Sequence, residues 1–127
     1  MKLRIRSQQN YGTHTEAYEE EFECSTEREE NRLKITFDDG FIQIEENKIT
    51  YERNENKIVI ESGKTNECDY ETEHGMFVLD IKGLLVESFL EDLESLVKLE
   101  KLVAKARYEI QMVGVEPYEN NIEIVLM

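Results

Sequence analysis

The chain has no tryptophan and a single proline, Pro117. With only six glycines as well, it lacks the composition of a linker or a low-complexity segment. No apolar run approaches the roughly 20 residues that a membrane-spanning helix needs. No apolar leader stretch opens the sequence, so a cytoplasmic location is expected. The two cysteines, Cys24 and Cys68, lie far apart and in no local motif. That excludes a disulfide framework, and both are expected to be reduced thiols. Neither they nor the two histidines, His14 and His74, stand at a metal-ligand spacing such as Cys-x-x-Cys or His-x-x-x-His. No metal or cofactor is therefore expected. The serines Ser7, Ser25, Ser62, Ser88 and Ser95 sit in no nucleophile-elbow motif, and no glycine-rich loop could cradle a phosphate. No catalytic residue is assigned, and an enzyme ranks last among the readings of function.

Positive charge is also scarce. Fifteen basic residues stand against 29 acidic ones, a formal net charge of −14. A chain this negative is repelled by phosphate backbones and anionic lipid, so nucleic acid and membrane surfaces are disfavoured partners. The one basic cluster, Lys2, Arg4 and Arg6, alternates with Leu3 and Ile5. It reads as a first strand with a charged outer face rather than as a nucleic-acid arm.

What is present is period-two alternation. The 127 residues are a one-domain length, read as a single domain spanning 1–127. Apolar residues are 39% of the chain, enough for a core because they recur at regular spacing. Tyr18, Phe22 and Cys24 share one face of a strand from about Glu16 to Thr26. Leu33, Ile35 and Phe37 alternate before the turn at Asp38-Asp39-Gly40, and Ile42 and Ile44 follow. Ile49 and Tyr51 lie after Glu46-Asn47, and Ile58 and Ile60 after Asn54-Glu55-Asn56. Cys68, Tyr70 and Thr72 precede Gly75; Phe77, Leu79 and Ile81 come after it. Leu102, Ala104, Ala106, Tyr108, Ile110 and Met112 form one row, residues 114–121 read as a loop around Pro117, and Ile122, Ile124 and Leu126 close the chain. Residues 91–101 stay open between two readings: a short helix with Leu93, Leu96 and Val97 on one face, or a hairpin turning near Glu94-Ser95.

Turn signals every eight to twelve residues, roughly, mark an all-β sandwich or barrel with antiparallel neighbours. A closed antiparallel barrel of about eight to ten strands is favoured, because it abolishes exposed edges and suits simple up-and-down order. Small Ala104 and Ala106 on an inner row fit a tapering interior.

Tyr70-Glu71-Thr72-Glu73-His74-Gly75, followed by Phe77, Leu79 and Ile81, resembles the YwiB-like family of small bacterial proteins. Ile42-Gln43-Ile44 with Ile49, Tyr51 and Arg53 resembles that family's central hairpin. Arg107-Tyr108-Glu109-Ile110 and Asn121-Ile122-Glu123-Ile124 resemble its closing strands. The sequence departs from the pattern at His74, where an aromatic residue is usual, and in the longer stretch from Glu94 to Leu102. The resemblance implies a calycin-like, lipocalin-shaped barrel and no known activity; fold alone carries no function.

The candidate ligand-binding residues are therefore those that alternation turns inward: Tyr18, Glu20, Phe22, Tyr51, Tyr70 and Tyr108. Tyrosines offer apolar walls with hydrogen-bonding tips, suited to a small apolar or amphipathic ligand. They could equally just fill a narrow barrel. Glu20 has the parity of Tyr18 and Phe22. Either it faces inward and needs a partner, or a bulge turns it out. The alternative function is a protein-protein interaction module, monomer or homodimer, docking through an exposed apolar face near Leu93 to Leu102.

Overall fold

The computed structural model describes residues 1–90 and 100–127. Ten strands run in chain order: β1 Lys2–Asn10, β2 Thr15–Glu29, β3 Arg32–Phe37, β4 Gly40–Glu45, β5 Lys48–Arg53, β6 Asn56–Glu61, β7 Thr65–Thr72, β8 Gly75–Ser88, β9 Lys101–Met112 and β10 Val115–Leu126. All pairings are antiparallel, in one sheet ordered β6-β5-β4-β3-β2-β1-β10-β9-β8-β7. Chain neighbours thus pair throughout, except β6 and β7, while the first and last strands pair with each other. A single sheet with this order is an up-and-down barrel, not a sandwich. Among the described residues no helix is present, and none is long and apolar enough to cross a membrane. The reading of residues 91–101 as helix or hairpin falls on 91–99, outside the described residues; Lys101 opens β9.

Turn chemistry sets the register. Asn54 and Glu55 both have positive φ, 52° and 69°, the backbone of a two-residue hairpin loop whose twist matches its strands. That pairs Tyr51 with Ile58 and Ile49 with Ile60. The loop expected over 114–121 is instead strand. The hairpin turns at Val113-Gly114 and β10 begins at Val115. Pro117 is accommodated because the β9–β10 register shifts between Val115 and Tyr118, where the ladder needs no N–H from it. The inner row of β9 also slips. Val103 and Ala104 are both fully buried, because a second shift between Ile124 and Val125 breaks strict alternation.

The barrel closes at a seam between β6 and β7, which no backbone ladder joins among the described residues. At its lower end the Gly63 N–H donates to Gly83 O (3.0 Å) and the Gly83 N–H donates to Lys64 O (2.9 Å). Gly83 must be glycine for this approach, since a Cβ there would lie 2.0 Å from the Glu61 carbonyl oxygen. At the upper end Asn56 substitutes for the missing ladder. Its Nδ2 donates to Glu71 O (3.1 Å) and its Oδ1 accepts from the Glu71 N–H (2.9 Å).

The core is one continuous cluster of apolar side chains inside the barrel. Leu3, Leu33, Ile35, Phe37, Ile42, Ile44, Ile49, Ile60, Ile81, Val103, Ile124 and Leu126 are buried there. On the outer face Arg4 and Arg6 pair with Glu19, Glu21 and Glu100. Arg4 and Arg6 of the basic cluster are thus spent on neighbouring carboxylates of β2 and on Glu100.

Candidate functional site: the mouth of the barrel

Inward side chains change character along β1, β5 and β10. On β1, Leu3 and Ile5 give way to Ser7 and Gln9. On β10, read upward, Leu126, Ile124 and Ile122 give way to Asn120 and Tyr118, and on β5 Ile49 gives way to Tyr51 and Arg53. The hairpins 11–14, 54–55, 73–74 and 113–114 all turn at this upper end. The lower barrel is packed with apolar side chains, and the upper barrel is open.

A cavity of about 490 Å³ occupies the upper interior. Its apolar wall includes Ile49, Ile58, Ile60, Leu79, Ile110 and Met112, and its polar wall Ser7, Gln9, Thr72, Asn120 and the tyrosines 51, 70, 108 and 118. One charge lines it, Glu20. A second hollow of about 260 Å³, shared with Glu20, Tyr51, Ile58 and Tyr70, continues to the rim at Arg53, Asn54 and Asn56.

Four of the six inward candidates therefore come together: Glu20, Tyr51, Tyr70 and Tyr108 line the same cavity. Tyr18 does not. It stands opposite Ser7 on the inward parity but above the barrel wall, half exposed, its hydroxyl donating to Glu16 at 2.7 Å. Phe22 lies beneath the mouth, its ring 4.8 Å from that of Phe37. It forms a platform for Arg53, whose guanidinium sits 4.9 Å from the Phe22 centroid.

Glu20 faces inward with no bulge. The β1–β2 ladder passes through Ile5↔Glu20 without a shift. Its carboxylate is 53% exposed, so water solvates part of it, and it accepts from Arg53 Nη1 at 3.1 Å. Arg53 also lies 3.4 Å from Asp39 Oδ1 through Nε. The hydrogen bond to Glu20 is the main reason the Arg53 guanidinium holds its proton more tightly than usual. Glu20 and Arg53 are thereby paired, while Arg53 Nε is buried without a hydrogen bond among the described residues.

Burial raises the phenols of Tyr51, Tyr108 and Tyr118 above their ordinary pKa. For Tyr51 the Arg53 side chain pulls the other way without winning. The cavity thus presents neutral phenols. Tyr108 is 6% exposed and Asn120 4%, facing each other as direct cross-strand partners. Asn120 Nδ2 donates to the Tyr108 hydroxyl oxygen at 3.2 Å. Asn120 Oδ1, buried, has no donor among the described residues.

Arg53, Tyr118 and Asn120 were not among the inward candidates. Arg53 has the parity of Tyr51 two residues earlier, which was signal enough. Tyr118 and Asn120 carry the parity of Ile122 backwards, but the loop reading around Pro117 hid it. Cys68 is buried and Cys24 half-buried on apolar faces, and burial raises the Cys24 thiol pKa. His14 stacks on Tyr11 at 4.9 Å, and His74 is exposed in the β7–β8 turn.

These features define an up-and-down β-barrel that is packed at one end and hollow at the other. No protein-family model matches the sequence, and no curated protein matches it. The structure is similar to the crystal structure of ywiB protein from Bacillus subtilis, with a TM-score of 0.73 and 13% sequence identity over 98% of this chain and 87% of that one. The chain has the YwiB-like fold; at that identity the likeness concerns the fold alone.

Proposed function

We propose that this protein is a calycin-like carrier or sensor that binds a small apolar or amphipathic molecule in the open end of its barrel, in the cytoplasm. The observation that carries this is the cavity of about 490 Å³, within the range of small-molecule sites, roughly 300–1,000 Å³. Its lining mixes aliphatic walls with few, placed polar groups, the usual composition of such sites. The narrow-barrel alternative, in which tyrosines merely fill space, would leave no such volume.

The test is saturable binding of Nile red, a neutral apolar dye, followed by its fluorescence. Ile58→Trp places a large ring in the cavity mouth. We expect it to weaken binding by about tenfold or more, equivalent to ~1.4 kcal/mol, with the far-ultraviolet β signature kept. Undiminished binding in Ile58→Trp would remove the dye from the cavity and the proposal with it.

A second reading has one observation behind it. The hairpin tips around the mouth expose Met76, Phe77, Val113 and Val115, with Val113 99% exposed. Apolar tips of this kind suit self-association or a partner protein. Light scattering over a concentration series separates a monomer from a homodimer, and Val113→Lys should shift any dimer toward monomer.

A further inference from the structure

The barrel wall has a notch at its upper end, and a carboxylate stands in it. The β2–β3 ladder starts at Cys24↔Phe37, and the β4–β5 ladder ends at Gly40↔Arg53. β3 and β4 therefore turn, at Asp38-Asp39, below the height that Glu20 reaches further up β2. Above that turn β2 pairs only with β1 among the described residues. Glu20 and Arg53 meet across the gap, 3.1 Å apart.

Two hollows join at this notch. The cavity of about 490 Å³ and the rim hollow of about 260 Å³ have four residues in common: Glu20, Tyr51, Ile58 and Tyr70. A molecule that lies in both passes one carboxylate and two phenol rings. Water reaches the carboxylate, which is 53% exposed. A carboxylate has about four lone-pair positions, and the bond from Arg53 Nη1 occupies one of them.

The balance of charge at the notch is negative. Arg53 lies between Glu20 and Asp39, 3.1 and 3.4 Å away, so two carboxylates face one guanidinium. The Phe22 ring covers a face of that guanidinium, and its Nε is buried. Among the described residues no Lys or Arg lines the larger cavity. The chain as a whole carries a formal net charge of −14, a field that draws cations in and holds anions off.

We propose that the ligand is a cationic amphiphile, its ammonium head in the notch against Glu20, Tyr51 and Tyr70 and its apolar tail in the cavity along Ile60, Leu79 and Ile110. This rests on the binding proposal above and adds the sign of the head group. Glu20 supplies the opposite charge at the mouth, where the head keeps part of its hydration. The two tyrosines supply electron-rich rings, which attract a cation and favour alkylated ammonium groups in particular. An anionic head would face Glu20 and Asp39, with the one guanidinium already held between them, and poorly compensated charge is costly to desolvate.

The experiment is isothermal titration calorimetry with three probes of equal chain length, each below its micelle-forming concentration: decyltrimethylammonium, decanol and decanoate at neutral pH. Wild-type protein should bind the cation at least about tenfold more tightly than decanoate, with decanol between them. Added sodium chloride should weaken the cation relative to decanol, because salt screens the charged head. Glu20→Gln removes the carboxylate charge and releases Arg53, so the preference for cation over decanoate should fall to about twofold or invert. That ratio is taken within each protein, so a general change in affinity cancels. Tyr70→Phe keeps the ring and should keep the preference, whereas Tyr70→Leu should lower it about threefold. If Glu20→Gln does not fold, the wild-type salt series decides. Decanoate binding as tightly as the cation overturns the inference, as does a preference that Glu20→Gln leaves unchanged. If Nile red binds wild-type protein and the three probes bind alike, this inference alone falls. If neither Nile red nor any probe binds, the binding proposal falls with it.

Discussion

Tyr51, Tyr108 and Tyr118 show how burial converts a common side chain into a pH-dependent stabiliser. Each holds its phenolic proton more tightly when folded, because burial disfavours the phenolate. A raised acid pKa means that stability is complete below the unfolded value, near about 10, and is lost as pH rises through the folded one. Tm should therefore fall steeply above about pH 10, and Tyr108→Phe should flatten that fall. An unchanged alkaline slope in Tyr108→Phe would show that Tyr108 does not contribute. Phe37 is the matching case in the packed core. Buried to 2% exposure and sharing ring contacts with Phe22 and Tyr51, it should cost about 3–5 kcal/mol as Phe37→Ala, read from urea unfolding.

The seam lacks a backbone ladder among the described residues, and Gly83 and Asn56 make hydrogen bonds that help close it. β6 and β7 follow each other in the chain but form no ladder, so the barrel depends there on Gly83 below and Asn56 above. Gly83→Ala drives a Cβ into the Glu61 carbonyl, 2.0 Å away. The expected loss is about 1–3 kcal/mol from forced backbone displacement, seen as a lower Tm. Asn56→Ala removes both bonds to the Glu71 backbone. It should cost about 1–2 kcal/mol and speed hydrogen exchange at the Glu71 amide; unchanged exchange would count against the bridge. Strands themselves were readable from alternation, as Leu33-Ile35-Phe37 and Cys68-Tyr70-Thr72 show. Their failures were local. Pro117 looked like a loop because a proline cannot donate to a ladder, yet a bulge removes that demand. Glu20 looked like a candidate for a bulge because a carboxylate should not be buried. The structure keeps the register and solvates it at the mouth beside Arg53.

For the whole molecule, charge decides how stability answers to salt. Arg4 and Arg6 pair with Glu19, Glu21 and Glu100, and salt weakens such exposed pairs. Against them stands a net −14, whose self-repulsion salt relieves. With nearly two acidic residues for each basic one, repulsion should win, so Tm should rise between low and high sodium chloride. A fall would mean that the β1–β2 ion pairs outweigh the net charge.

Alternation by itself determined the inside and outside of most strands, since side chains reverse face every residue whatever the fold. It therefore placed Tyr51, Tyr70 and Tyr108 inward, and Glu20 by parity, before any contact was known. Tertiary structure alone decided how high in the barrel each inward residue sits, because height depends on strand stagger and not on parity. That is why Tyr18 stands above the wall, Phe22 lies beneath the cavity, and Tyr118 and Asn120, beyond a bulge, join it. The orphaned acceptor at Asn120 is likewise a property of what folding brings near it, and of what it leaves out of reach.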